Sequence, residues 1–192
     1  MNAVQETTEQ IVRRLAALLS KTDEPLEIRV RDHNGRIYWT AKPCSEAAPY
    51  LVGKGGGHVK AIQHLITGFG RACGGDYSFR LLDPDPGPLR AVTAPPAAPD
   101  YDPTDLAELL EDVLDALGVG EYMVKTEPRG LSSLGAPQYE LEVWVRDDAD
   151  YQLLTVEPDD GTELNNISAI GVLWRAAASI SGGRVSVTVR RA

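Results

Sequence analysis

Residues 51–62 read LVGKGGGHVKAI, a stretch rich in glycine that also contains two lysines and a histidine. Four glycines and a lysine occupy positions 53–57. Glycine adopts backbone conformations with positive φ that other residues avoid, so this run predicts a tight loop. Apolar residues at helical spacing follow over about 57–71, and the loop is therefore predicted to lead directly into a helix.

The first half of the chain places this loop within a regular order of elements. Asn34-Gly35 is typical of a two-residue hairpin turn, and alternating apolar residues on both sides of it predict a strand pair. Gly74-Gly75 ends the helix that follows the loop. The predicted elements are a helix over 7–20, strands over 25–32 and 36–42, a short helical segment over 45–52, the helix over 57–71 and a strand over 76–82.

The second half repeats this order. A helix is predicted over 105–117, a strand pair over 121–127 and 138–145 with a long connecting loop at 128–137, a helix over 164–179 and a strand over 184–190. At a constant offset of 108, Ala61-Ile62 recurs as Ala169-Ile170 and Gly74-Gly75 as Gly182-Gly183. An amphipathic period alone is common, but a shared helix, glycine stop and strand phase together indicate an internal duplication.

A proline-rich segment separates the two halves. Residues 83–103 contain seven of the 13 prolines, and proline stiffens the chain by fixing its own φ. We therefore predict a first domain at 1–82, a linker at 83–103 and a second domain at 104–192. The predicted fold class is α+β, with two α-β-β-α-α-β repeats, each a three-stranded sheet packed against helices.

Charge is divided unevenly between the halves. The chain has a formal net charge of −9. Residues 1–94 carry 12 Lys and Arg against 10 Asp and Glu, whereas residues 95–192 carry 7 against 18. An acidic balance argues against tight, non-specific binding to a polyanion, so only the first half is expected to meet a phosphate backbone.

The sequence YLVGKGGGHVKAIQHLI, between a strand pair with a short helix and a longer helix, resembles the GxxG region of a KH domain. The element order is similar to the bacterial type II arrangement of that family. The resemblance covers residues 7–82 directly and residues 104–191 only through the repeat. It does not extend to nucleotide-hydrolysing P-loops, because no GxxxxGK[ST] is present.

The resemblance implies single-stranded RNA binding, or single-stranded DNA binding, through the loop. In KH domains the GxxG turn clamps about four nucleotides by their backbone, and the bases lie in an apolar groove beside it. Lys54 is expected to contact a phosphate, with His58 and Lys60 beside the nucleic acid in the next helical turn. The nucleic-acid-binding residues implied here are Gly53, Lys54, Gly55, Gly56, Gly57, His58 and Lys60.

The second copy departs from this pattern. By the offset, Gly161, Thr162, Glu163 and Leu164 match positions 53–56, and the stretch VEPDDG lies just upstream. Acidic side chains repel phosphate, so this repeat is expected to be degenerate and to serve architecture or partner contacts. A divalent-cation site, and with it a metal-dependent enzyme, is an alternative interpretation of the acidic cluster, but a solvated acidic loop is favoured.

No catalytic constellation is recognised, so we predict no enzyme, no cofactor and no metal site. No signal peptide or membrane-spanning run is recognised, which predicts a cytoplasmic protein without a membrane partner. Besides RNA, a protein partner or self-association is left open, and the alternative function is a KH-fold interaction or scaffold module with little or no nucleic-acid binding.

Overall fold

The chain divides into two compact units, residues 1–96 (unit 1) and residues 97–192 (unit 2). The computed structural model describes residues 3–20, 22, 26–84, 103–157 and 164–192. Most of the predicted linker, residues 85–102, lies outside the described residues.

Unit 1 contains one three-stranded sheet with helices on one face. Its elements are α1 (Ala3–Ser20), β1 (Leu26–His33), β2 (Arg36–Pro43), α2 (Ala48–Val52), a 3₁₀ turn (Lys54–Gly56), α3 (Gly57–Ala72) and β3 (Asp76–Leu81). The sheet order is β1-β2-β3; β1 and β2 are antiparallel, and β2 and β3 are parallel.

The sequence patterns account for these elements. Ile37, Trp39 and Ala41 alternate along β2 and are buried, so one face of the sheet carries the core and the other faces outward. The β1–β2 turn has φ of 55° at Asn34 and 81° at Gly35, the two left-handed residues that an Asn-Gly hairpin uses. The predicted hairpin is confirmed.

Unit 2 repeats both the element order and the sheet topology. Its elements are α4 (Pro103–Ala116), β4 (Tyr122–Leu131), β5 (Pro137–Val145), α5 (Asp148–Thr155), α6 (Asn166–Ile180) and β6 (Arg184–Arg191). The sheet order is β4-β5-β6, again with one antiparallel and one parallel pairing. The predicted α+β class with two three-stranded sheets is therefore confirmed.

Strand register shows where the two copies differ. Ile37 pairs with Tyr77, and Tyr139 pairs with Val185, so Ile37 and Tyr139 are equivalent although only 102 positions apart. Tyr77 and Val185 are 108 positions apart, as predicted from the sequence. The additional six residues of unit 2 must therefore lie between its second and third strands, in the part of the chain that carries the glycine loop in unit 1.

The prediction of a long loop over 128–137 is wrong. β4 continues through Pro128 to Leu131, with a register shift between Pro128 and Gly130. The hairpin is closed by a short turn in which the Ser132 hydroxyl accepts hydrogen bonds from the amides of Leu134 and Ala136. Proline is tolerated here because β4 is an edge strand and the bulge removes one ladder position.

The packing of α3 fixes the position of the glycine loop within unit 1. The Gln63 side-chain amide donates to the Phe79 carbonyl at 3.3 Å, and Gly70 lies directly against Tyr77. The earlier residue of α3 contacts the later residue of β3, and the later residue of α3 contacts the earlier one. The two elements are therefore antiparallel. The start of α3, and the loop before it, therefore lie beyond the end of β3 that carries Leu81.

Candidate nucleic-acid interface

The glycine loop, residues 53–56, has positive φ at three of its four positions. Gly53 has φ 68° and ψ 176°, a conformation that is essentially restricted to glycine. Gly55 and Gly56 are left-handed, with φ of 62° and 78°. Gly57 already has helical angles and begins α3. The sequence-predicted loop-to-helix junction is thus placed where the glycine pattern indicated.

His58 holds the loop against α2. Its Nδ1 donates a hydrogen bond to the Tyr50 carbonyl, with the two atoms 2.6 Å apart. Its ring also covers Gly53, since a Cβ on Gly53 would lie 2.5 Å from the ring Cγ. The half-buried imidazole therefore has a positioning role that the sequence did not reveal, and the predicted contact of His58 with nucleic acid stays a prediction.

The two lysines face solvent. Lys54, in the 3₁₀ turn, and Lys60, in the first turn of α3, are both exposed. Among the described residues neither makes an ion pair, and the first turn of α3 has no acidic residue. Positive charge at this end of unit 1 is consequently available to a ligand.

The start of α3 has no side-chain cap. Its N-cap residue is Gly56, which offers no side-chain acceptor to the first amides of the helix. The first amides of a helix have no partner within the helix, and the helix dipole adds partial positive charge there. A phosphate oxygen is a suitable acceptor for such amides.

In unit 2 a side chain caps the equivalent helix start, that of α6. The Asn165 side-chain oxygen accepts a hydrogen bond from the Ser168 amide at 2.8 Å, and so caps α6. The Asn165 side-chain amide donates to the Thr155 carbonyl, and that of Asn166 donates to the Leu153 carbonyl. These contacts bind the start of α6 to α5 and occupy the amide that an anion would use.

The acidic residues predicted to repel phosphate in unit 2 are only partly described. Residues 158–163, which include Gly161, Thr162 and Glu163, lie outside the described residues, whereas Glu157 is exposed and Leu164 is half-buried. Among the described residues, no group of three or more His, Cys, Asp or Glu side chains is placed to hold a metal ion.

Asn165 marks a structural difference between the two units that sequence reasoning missed. An asparagine immediately before an apolar helical pattern is a recognised N-cap signal. Comparing this N-cap with Gly56, the N-cap of α3, would have predicted one open and one capped helix start. The contact between His58 and Tyr50 had no comparable signal, because it depends on the angle between α2 and α3.

Comparison with protein-family models finds no match for this chain, and comparison with curated proteins finds none either. Within the described residues, no helix is both long and apolar enough to cross a membrane.

Proposed function

We propose that unit 1 is a KH-like domain that binds single-stranded RNA, or single-stranded DNA, through the glycine loop. The α-β-β-α-α-β order of unit 1 and the position of the loop between its second and third helices support this proposal. Unit 2 is then a degenerate KH-like repeat that serves architecture or partner contacts. No catalytic activity is part of the proposal.

The observation that carries the proposal is the difference between the two copies of one helix start. In unit 1 this helix start combines an uncapped N-terminus, three positive-φ glycines and exposed lysines. In unit 2 an asparagine caps it. Of these two helix starts, the one that follows the glycine loop therefore leaves its backbone amides without a side-chain acceptor, which supports contact with a phosphate backbone.

The chemistry of binding follows from these groups. Without side chains at 53, 55 and 56, the phosphodiester backbone can approach the protein backbone closely. The first amides of α3 donate to a phosphate oxygen, and Lys54 adds a full positive charge. Two or three cationic contacts release few counterions, so affinity should be modest and should fall with salt with a slope of about −1.5 to −2.

The alternative function is a KH-fold interaction module that does not bind nucleic acid. The acidity of unit 2 favours it: the sequence of α4, PTDLAELLEDVLDA, contains five acidic and no basic residues. A helix face of this kind repels RNA and suits a basic protein partner. The alternative predicts no RNA binding by the whole chain at low salt.

Binding of labelled oligouridylate distinguishes these functions. We expect Lys54→Asp combined with Gly55→Asp to weaken binding at least about tenfold, which is about 1.4 kcal/mol. Aspartate tolerates the left-handed backbone of Gly55, and nothing lies within 4 Å of a Cβ added there, so the variant should fold. Fluorescence anisotropy gives the affinity, and circular dichroism checks the fold.

The matched control is Lys125→Asp combined with Gly135→Asp in unit 2. It makes the same charge change, and Gly135 likewise has positive φ and open space around a Cβ. We expect this control to bind RNA as the wild type does. If wild type fails to bind at low salt, or both double variants lose affinity equally, the proposed role of the loop is wrong.

A further inference from the structure

The outward face of the unit 1 sheet carries a concentration of positive charge. The buried residues of β2 point toward the helices, so Arg36, Tyr38 and Lys42 lie on the opposite face. Strand register adds residues from β1 and β3 to the same face. We name this surface the basic sheet face; its principal residues are Arg29, Arg31, Arg36, Tyr38, Lys42 and Arg80.

Register places these side chains in cross-strand rows. Arg29 pairs with Thr40 and Thr40 with Arg80, so the two arginines flank the threonine. Arg31 pairs with Tyr38 in the next row. Adjacent strands are about 4.8 Å apart, so all of these groups lie within reach of a few consecutive nucleotides.

Part of this charge is not neutralised within the described structure. Glu27 pairs with Arg29 at 2.7 Å, and Asp76 pairs with Arg36 at 3.2 Å. Arg31 and Arg80 are exposed and make no ion pair with any described residue. The basic sheet face thus carries an excess of positive charge in a protein whose net charge is −9.

An exposed aromatic ring lies at the centre of this charge. Tyr38 is 39% exposed, and the Arg36 guanidinium lies over its ring at 5.6 Å from the centroid. Aromatic rings on open sheets provide stacking surfaces for unpaired bases, and surrounding cations bind the phosphates. An acidic peptide would use the cations but has no need of the exposed ring.

The equivalent face of unit 2 has a different composition. Glu140 and Glu142 occupy the positions of Tyr38 and Thr40, and they form ion pairs with Arg129 and Arg190. A hydrogen bond from Thr188 and the nearby arginines lower the pKa of Glu140 below its ordinary value. Arg129 and Arg190 are therefore neutralised by carboxylates of their own sheet.

The basic sheet face also lies close to the loop end of unit 1. Because α3 is antiparallel to β3, the glycine loop is beyond the Leu81 end of β3, and Arg80 is the last outward-facing residue of that strand. Arg29 and Lys42 belong to the same end of the sheet by register. A nucleic-acid strand that leaves the loop at this end meets the arginines first.

We infer that the basic sheet face of unit 1 is a second contact surface for single-stranded nucleic acid. Tyr38 stacks on a base there, while Arg31 and Arg80 bind phosphates on either side. The inference rests on the proposed function, because it extends the path of a strand held by the glycine loop. It predicts that affinity increases with strand length beyond the nucleotides that the loop clamps.

The test compares two lengths of oligouridylate, one of about four nucleotides, which one KH-type loop clamps, and one about three times longer. We expect Arg31→Gln combined with Arg80→Gln, and separately Tyr38→Val, to weaken binding of the longer RNA about tenfold. The loss of stacking on one base costs enough binding free energy to weaken affinity about tenfold. Binding of the short RNA should not change, and the arginine variant should lower the salt slope by about 0.7 per lost contact.

The substituted residues are compatible with the β-strands that they occupy. A control pair in unit 2 separates the effect of losing charge from the effect of where the charge is lost. Valine is a good strand former, and glutamine retains most of the arginine length. Arg175→Gln combined with Arg184→Gln removes the same charge from exposed positions of unit 2 and should leave both affinities unchanged. The loop variant Lys54→Asp with Gly55→Asp should weaken both lengths.

The outcomes separate the two proposals. If the longer RNA binds no tighter than the short one, or the sheet variants weaken both lengths equally, the second surface does not exist although the loop still binds. If the loop variant changes nothing but the sheet variants do, the loop proposal fails and the sheet proposal stands. A wild type that binds neither RNA overturns both, and polyglutamate binding that requires Arg31 and Arg80 identifies a protein-docking face instead.

Discussion

Replacing Gly53 by alanine should abolish RNA binding and destabilise unit 1 by about 2–4 kcal/mol. The φ of 68° with ψ of 176° is one that alanine reaches only at a cost of about 1–3 kcal/mol. The new Cβ would also lie 2.5 Å from the His58 ring. The ring must then move away from the Tyr50 carbonyl, which costs about one further hydrogen bond.

Gly55→Ala is the matched control for this prediction. Gly55 is left-handed, but nothing lies within 4 Å of a Cβ built on it. Its replacement should therefore cost only about 1–2 kcal/mol of backbone strain. Urea unfolding followed by circular dichroism measures both variants, and anisotropy with oligouridylate measures binding.

A double-mutant cycle isolates the clash itself. His58→Ala removes the ring that the new Cβ would strike, so adding it to Gly53→Ala should cost less than the two single changes together. If the free-energy costs of His58→Ala and Gly53→Ala simply add in the double variant, His58 does not hold the loop. The same conclusion follows if the Gly53→Ala variant is no less stable than Gly55→Ala.

Replacing Trp174 by phenylalanine should destabilise unit 2 by about 2–4 kcal/mol. Trp174 is fully buried, and its indole Nε1 donates to the Leu106 carbonyl at 2.8 Å. The substitution therefore leaves a cavity and also removes a buried hydrogen bond between α6 and α4. The free energy of unfolding from urea titration gives the effect.

Trp39→Phe provides the comparison in unit 1. Trp39 is as deeply buried, at 1% exposure, but its Nε1 has no hydrogen-bond partner in the described structure. Phenylalanine removes that unpaired donor together with part of the ring, so the cost should be at least about 1 kcal/mol smaller than for Trp174→Phe. Equal or reversed costs would show that the hydrogen bond to Leu106 does not stabilise unit 2.

Much of the fold follows from local sequence signals. The alternation along β2 and the Asn34-Gly35 turn are local features, and both are present in the structure. The turn at 132–136 was not predicted because a serine side chain supports it, without an Asn-Gly or Asp-Gly pair.

One buried position was assigned wrongly. The general preference of tryptophan for the interior predicts that Trp144, like Trp39 and Trp174, is a core residue. It is instead half-buried on the outward face of its sheet, with Lys125 over its ring. The alternation of Leu141, Val143 and Val145 already places the even-numbered residues outward. At this position the alternation along β5 is a better guide than the general preference of tryptophan for the interior.

Some features of the candidate site follow from residue type, whereas others depend on tertiary packing and strand register. Positive φ at Gly53, Gly55 and Gly56 follows from residue type, and so does the start of α3 at Gly57. The bracing of the loop by His58 depends on how α2 and α3 pack, which no local pattern specifies. The two outward sheet faces also require register, because Arg29 and Arg80 are distant in sequence and come together only through β2.

We propose that the glycine loop of unit 1, and not the equivalent segment of unit 2, holds a phosphate backbone. Amide chemical shifts of the ¹⁵N-labelled protein, followed during titration with a short oligouridylate, test it residue by residue. We expect the largest changes at Gly55, Gly56 and Gly57, with little change at Asn165 and Ser168. Unchanged loop amides, or larger changes at the start of α6, would show that the glycine loop does not hold the phosphate backbone.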